Sequence, residues 1–383
     1  MEEKFQTLIH SNDPENRNKW ALEWKEQGHK VIGLLDIYVP EEIISAAGLL
    51  PWRITGTWDA AVPRAAVHRP SMTCRYCTHV LESFMNGDLD FVDGLVTTQI
   101  DDDFKRLYDV LNYIDKPGFL HIMYLPHTTS KTTLDMWKKS VNSFKEAIET
   151  YSGNKIDPDE LQRQVLIYNK MRALLREVYE LRKREVPALT GAEALGLTSA
   201  ARIMPRELFN EQLEQLIPYL NERKIEKSDG KPRIFMGGEW LDHPGYVRLV
   251  ENAGATVVMD EFDTGSQYFW DIVYDTSDDL LGALAKRYMM RPGLSRMAQW
   301  EMQANRNLAW MNEFNADGVV ELRSLYSLPL DYRYLFMRKI YDNNNIFYLS
   351  LNREYHLSGQ GMLQTRIEAF LEMVERKSRA TSV

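Results

Sequence analysis

The sequence predicts an α/β protein: two Rossmann- or flavodoxin-like parallel-sheet domains flanking a helical insert. Three observations carry this. Short apolar runs alternate with helical patterns up to residue 127 and again after residue 229, the rhythm of parallel strands joined by crossover helices. Strand signals vanish between about Thr128 and Arg223. A motif also repeats: Asp93-Gly94-Leu-Val in the first part matches Asp317-Gly318-Val-Val in the last, each a buried strand entered through an Asp-Gly turn. The division is therefore 1–127, 128–228 and 229–383, with the charged, glycine-containing stretch Lys224–Lys231 as linker.

In order along the chain, polar helical signals fill the first 28 residues, and Lys30–Leu35 reads as a buried strand. Pro40 with Glu41 and Glu42 opens a helix, the acids suiting its positive end, and Gly48 stops it. Leu49–Ile54 is the next strand. Val80, Leu81, Phe84 and Met85 mark a helix that ends at Asn86-Gly87. Asp93–Thr98 and Gly118–Leu125 are strands around an Asp101–Tyr113 helix. Leu161, Val165, Tyr168, Met171, Leu175 and Val178 recur at three- and four-residue steps, an amphipathic helix of the insert. Strands resume at Pro232–Met236, Ala255–Met259, Asp317–Leu322 and Ile346–Leu351.

The 383 residues are 44% apolar and 26% charged with a net charge of −9, so the chain lacks the basic stripe that nucleic acid demands. No apolar run reaches the roughly 18 residues of a spanning helix, and the polar, acidic start has no signal-peptide core. Two cysteines in so long a chain make no disulfide framework. A cytoplasmic protein with neither membrane nor nucleic-acid partner is expected.

Those two cysteines, Cys74 and Cys77, stand at a C-x-x-C spacing at the start of a helix, whose dipole favours the thiolate that a metal or cluster needs. In open α/β sheets ligands sit at the carboxyl ends of strands. Those ends carry Thr98–Asp103 in one half and Arg323–Pro329 in the other, so a cleft between the halves would bring both loops to Cys74.

Six segments, in one order over most of the chain, resemble the family of 2-hydroxyacyl-CoA dehydratase and benzoyl-CoA reductase subunits, of the 2-hydroxyglutaryl-CoA dehydratase D-component type. They are VPEEIISAAGLLPWR at Val39–Arg53, the Cys74 region, DGLVTT with the following DDFKRLYD, LDHPGYVRLVENAGA at Leu241–Ala255, TGSQYFWD at Thr264–Asp271 and GQGMLQTRIEAFLEM at Gly359–Met373. The resemblance implies two paired homologous subunits, a cysteine-ligated [4Fe-4S] cluster between the α/β domains, and an ATP-hydrolysing activator that delivers a low-potential electron. It also implies an acyl-CoA substrate, dehydrated through a ketyl radical or reduced at an aromatic ring.

The same resemblance implies three ligand cysteines. Cys74 is the first; the second falls on Asp101 and the third on Ser327, while Cys77 is an additional thiol. Clusters want thiolates, and carboxylate or hydroxyl ligands suit harder ions. Three readings follow: a cluster ligated by Cys74, Cys77 and Asp101, a different metal, or no metal in a chain that partners a cysteine-complete homologue. A stand-alone metal-binding α/β protein is the reading from another class.

Other candidates have plainer alternatives. His79 and His68 are ligands or, more ordinarily, hydrogen-bonded side chains. Asp102 and Asp103 read as first-turn acids and Asp101 as a site residue needing a nearby cation, with Arg323 the closest by sequence. Glu354 and His356, with Ser327, are the candidate catalytic groups, the first two doubling as a pair that fixes a loop. Gly359, Gln360 and Gly361 before a helix are a candidate CoA phosphate site. Trp52, Trp58, Tyr268, Phe269 and Trp270 are aryl-lining or core.

Overall fold

The computed structural model describes residues 1–225, 230–274 and 279–381, with side chains to residue 376; residues 226–229 of the predicted linker lie outside the described residues. Among the described residues, eight strands form two four-stranded sheets. The first holds β1 (Val31–Leu34), β2 (Leu50–Arg53), β3 (Gly94–Thr98) and β4 (Phe119–Met123) in the order β2-β1-β3-β4. The second holds β5 (Arg233–Gly237), β6 (Thr256–Asp260), β7 (Gly318–Ser324) and β8 (Phe347–Arg353) in the order β6-β5-β7-β8. Every pairing is parallel. This is the flavodoxin-like winding, with its switch point between the first and third strands of each half.

The Asp-Gly repeat has a structural cause. Asp93 accepts the Val31 N–H through Oδ2 at 2.8 Å, and Asp317 accepts the Arg233 N–H through Oδ2 at 2.7 Å. Each aspartate thus locks the start of the central strand beside it. Gly94 and Gly318 then sit where a side chain would run into Phe119 and Ile32, or into Phe370 and Phe347. The same local chemistry registers both sheets.

Helices Lys131–Ser152, Pro158–Glu180, Gly191–Ile203 and Arg206–Glu222 lie between β4 and β5 with no strand among them. Gly191–Ile203 packs on both β2 and β6, so it clasps the outer edges of the two sheets. Glu41 and Glu42 stand in the first turn of a helix, as the sequence predicts, and packing adds to that role. They are buried at the start of the Glu41–Ala46 helix, Glu41 paired with Arg206 at 2.7 Å and Glu42 with Arg172 at 2.6 Å. Buried carboxylates need such partners, and the helical region supplies them. Trp52 and Phe269 are fully buried, and Tyr268 nearly so, in the main core. No helix among the described residues is long and apolar enough to cross a membrane.

Candidate functional site

The carboxyl ends of both sheets face one another, and the loops leaving β3, β5 and β7 meet there. From the first half comes the Arg75–Asn86 helix, with Cys74 as its N-cap and Gly87 closing it in the left-handed region at φ +88°. Both cysteines are free and fully buried. The Cys77 thiol donates to Cys74, which favours the thiolate at Cys74, whereas burial pushes the Cys77 thiol well up.

Asp101 serves two masters. Its Oδ1 accepts the Phe104 N–H at 3.0 Å, capping the Asp102–Tyr113 helix, while its Oδ2 takes a 2.5 Å bond from Arg296 Nε. The same guanidinium donates to Ser327 Oγ at 3.0 Å through Nη2 and to Glu239 through Nη1. Asp101 and Ser327, on equivalent loops of the two halves, therefore converge on one cation. Cys74 lies within reach of the same charges, being acted on by Asp103, Asp101 and Arg296.

The expected cation exists, but its identity corrects the sequence reading. Arg323 lies in β7 and turns the other way, bonding Ser350 Oγ at 2.9 Å and Asp331. Arg296 instead comes from the irregular stretch 291–299 between the Leu280–Met290 and Trp300–Glu313 helices, and all of it but Ala298 is buried. Buried irregular backbone must find partners. Leu294 N–H donates to Tyr38 Oη at 2.9 Å, Ser295 N–H to Glu239 at 2.5 Å and Ala298 N–H to the His127 carbonyl at 2.8 Å.

Glu239 and Trp240, at the carboxyl end of β5, escaped the sequence reading, although the strand-end rule that picked out Thr98–Asp103 and Arg323–Pro329 applies to them equally. Trp240 holds a positive φ of 53°, its ring lies 4.9 Å beneath the Arg296 guanidinium, and it packs on Tyr76 and Phe104. Tyr326, just before Ser327, is also left-handed at φ 61°. Such backbone costs on the order of 1–3 kcal/mol and concentrates at functional sites. Arg296 itself carried no local signal: no periodicity, cap or motif marks the 291–299 stretch.

Asp103 does more than stabilise its own helix, contrary to expectation. Its carboxylate pairs with Arg69 at 2.5 Å and accepts the Cys74 N–H. Asp102 is the exposed first-turn acid that was expected. His79 is a buried side chain whose Nδ1 meets the Thr57 carbonyl at 2.9 Å, and burial lowers its pKa to about 4. His68 is half-buried on the turn before Arg69.

Glu354 and His356 do not pair with each other. Glu354 instead binds Arg75 at 3.0 Å, across the halves, and Arg75 stacks on Tyr326 at 4.8 Å. The His356 ring lies 5.7 Å from that of His79, and its buried Nδ1 has no hydrogen-bond partner among the described residues. Gly359, Gln360 and Gly361 are exposed at the start of the final helix, outside these contacts.

For the [4Fe-4S] cluster that the resemblance implied, the donors do not fit. Such clusters are held by thiolates, and here two of the three implied ligand positions carry the oxygens of Asp101 and Ser327, both engaged by the Arg296 guanidinium. No group of three or more His, Cys, Asp or Glu among the described residues could hold a metal ion.

Comparison with known proteins places the chain. It is 24% identical to the (R)-2-hydroxyglutaryl-CoA dehydratase beta subunit of Acidaminococcus fermentans, covering 91% of this chain and 93% of that one. It is 22% identical to the (R)-phenyllactyl-CoA dehydratase beta subunit of Clostridium sporogenes, covering 94% and 96%. With a benzoyl-CoA reductase subunit of Thauera aromatica the identity is 28%, over 63% of this chain and 64% of that one. Residues 36–374 match the profile of the 2-hydroxyglutaryl-CoA dehydratase D-component, and the chain belongs to that family.

Proposed function

We propose that the chain is one subunit of a complex acting on acyl-CoA thioesters, a radical dehydratase or an aryl-CoA reductase. It pairs with a homologous subunit and depends on an ATP-hydrolysing activator for electrons. The observation that carries this is the family match over residues 36–374, laid on two parallel-sheet halves whose strand-end loops meet at Arg296.

Within that reading, this chain's residues bind substrate and move protons at the cleft mouth. Arg75, held by Glu354 and stacked on Tyr326, is a fixed positive charge suited to a thioester carbonyl oxygen or a phosphate. His356 holds or releases a proton at Nδ1, the nitrogen without a partner among the described residues. The exposed turn Gly359–Gly361 offers helix-start N–H groups to a CoA phosphate.

The test is turnover by the assembled system. The chain, a cysteine-complete homologous subunit and the activator are mixed with ATP and a low-potential reductant. A panel of 2-hydroxyacyl- and aryl-CoA thioesters is then followed by mass spectrometry. Conversion only by the complete mixture is expected, and His356→Ala should lower kcat by about 100-fold or more with little change in KM. Turnover by this chain alone, or intact thioesters throughout, would overturn the proposal.

A further inference from the structure

We infer that Arg296 stands in place of a metal centre, so that this chain enters its assembly without an iron–sulfur cluster of its own. The inference deepens the subunit reading and rests on it only for the word assembly. Two of the three positions that the family resemblance would join through a cluster, Asp101 after β3 and Ser327 after β7, are joined here by one guanidinium, which also bonds Glu239 after β5. Both oxygen donors that stand at the implied cysteine positions are already engaged: Asp101 by Phe104 N–H and Arg296, and Ser327 by Arg296.

The space is engaged as well. The Trp240 ring lies 4.9 Å from the guanidinium and is itself buried against Tyr76 and Phe104. Nor is the arginine on a lid that could swing aside. Its loop is anchored in the first half by Arg291 Nη2 on the Ile37 carbonyl at 2.9 Å and by Leu294 N–H on Tyr38, and in the second by Ser295 on Glu239. Expelling Arg296 would take from the buried Glu239 and the part-buried Asp101 the guanidinium that both bond, which a buried carboxylate does not tolerate.

The experiment uses the full chain, alone and in its complex, purified without oxygen and reconstituted with ferrous iron and sulfide under reductant. Iron and acid-labile sulfide are then measured on this chain after separation from its partner, alongside its unfolding midpoint with and without chelator. No stoichiometric iron and a chelator-independent midpoint are expected. Arg296→Lys, which keeps the charge but loses the fork, and Arg296→Ala should both lower the midpoint, the latter by about 5 °C. One cluster per chain, lost in Cys74→Ala, would overturn the inference, as would an Arg296→Lys chain as stable as the parent. A complex that converts thioesters while this chain carries a cluster defeats only the inference. An iron-free chain whose complete mixture converts nothing defeats only the functional reading.

Discussion

In the N-terminal half, Asp36 follows β1 by two residues and finds its donors at home. It accepts Tyr38 N–H and Thr98 N–H, each at 2.8 Å, and the hydroxyls of Thr97 and Thr98 at 3.1 and 3.2 Å. In the C-terminal half, Glu239 follows β5 by two residues and must reach outward, to Ser295 and Arg296 on a loop that crosses to the first half. The sheets are wound alike and entered through the same Asp-Gly lock, yet one strand end is satisfied by neutral donors and the other by a borrowed charge. A repeated backbone therefore does not repeat its electrostatics. The second half is complete only when the 291–299 loop brings its arginine to the junction.

The largest expected effect breaks that dependence. Arg296→Ala leaves the buried Glu239 and the part-buried Asp101 without their cation and should cost about 3–5 kcal/mol in urea unfolding. A loss below about 1 kcal/mol would mean that the charge is dispensable. The two carboxylates sharpen the contrast: Glu239→Gln should cost roughly 2–3 kcal/mol, and Asp36→Asn roughly 1–2, because Asp36 answers to neutral donors. Burial already pushes the Asp36 carboxyl up, so neutralising it loses less. Equal costs at the two sites would erase the distinction.

A third test lies where the halves touch. His79, on the first half, packs against Tyr355 and His356 of the second and is held neutral, with its pKa lowered to about 4. Its unfolded value is higher, so the unfolded chain binds the proton first as pH falls. The contribution is complete above about pH 6.5 and is lost toward pH 4, worth roughly 2 kcal/mol over that window. His79→Asn should flatten this slope in unfolding measured at several pH values; an unchanged slope would assign the pH dependence to another group.

The smallest effect compares equivalent turns. Asp115 before β4 and Asn345 before β8 both hold positive φ, at 53° and 54°. Replacing either by glycine relieves left-handed strain at a cost in chain entropy, and a change within about ±1 kcal/mol is expected at both. A large loss at one site alone would show that its side chain does more than close a helix.

The eight strands, the two-sheet division and the convergence of Asp101 and Ser327 near Cys74 were legible in the residues. Alternating apolar runs, Asp-Gly turns and a helix-start carboxylate are local signals, and local signals report which face is buried and where a strand ends. So the need for a cation beside Asp101 was readable, since a carboxylate at a buried strand end cannot stand alone. Which cation it was could not be read. Arg296 lies 195 residues from Asp101, on a stretch with no periodicity, whereas Arg323, near Ser327 in sequence, is taken up by Ser350 and Asp331. Glu41 and Glu42 give the same lesson. Their place at a helix start was plain, but the arginines that bury them arrive from helices more than a hundred residues away. Sequence determined the elements and the unsatisfied charges; packing across the halves decided the partners, because side-chain pairing in a core depends on which distant loop crosses and not on any pattern within it.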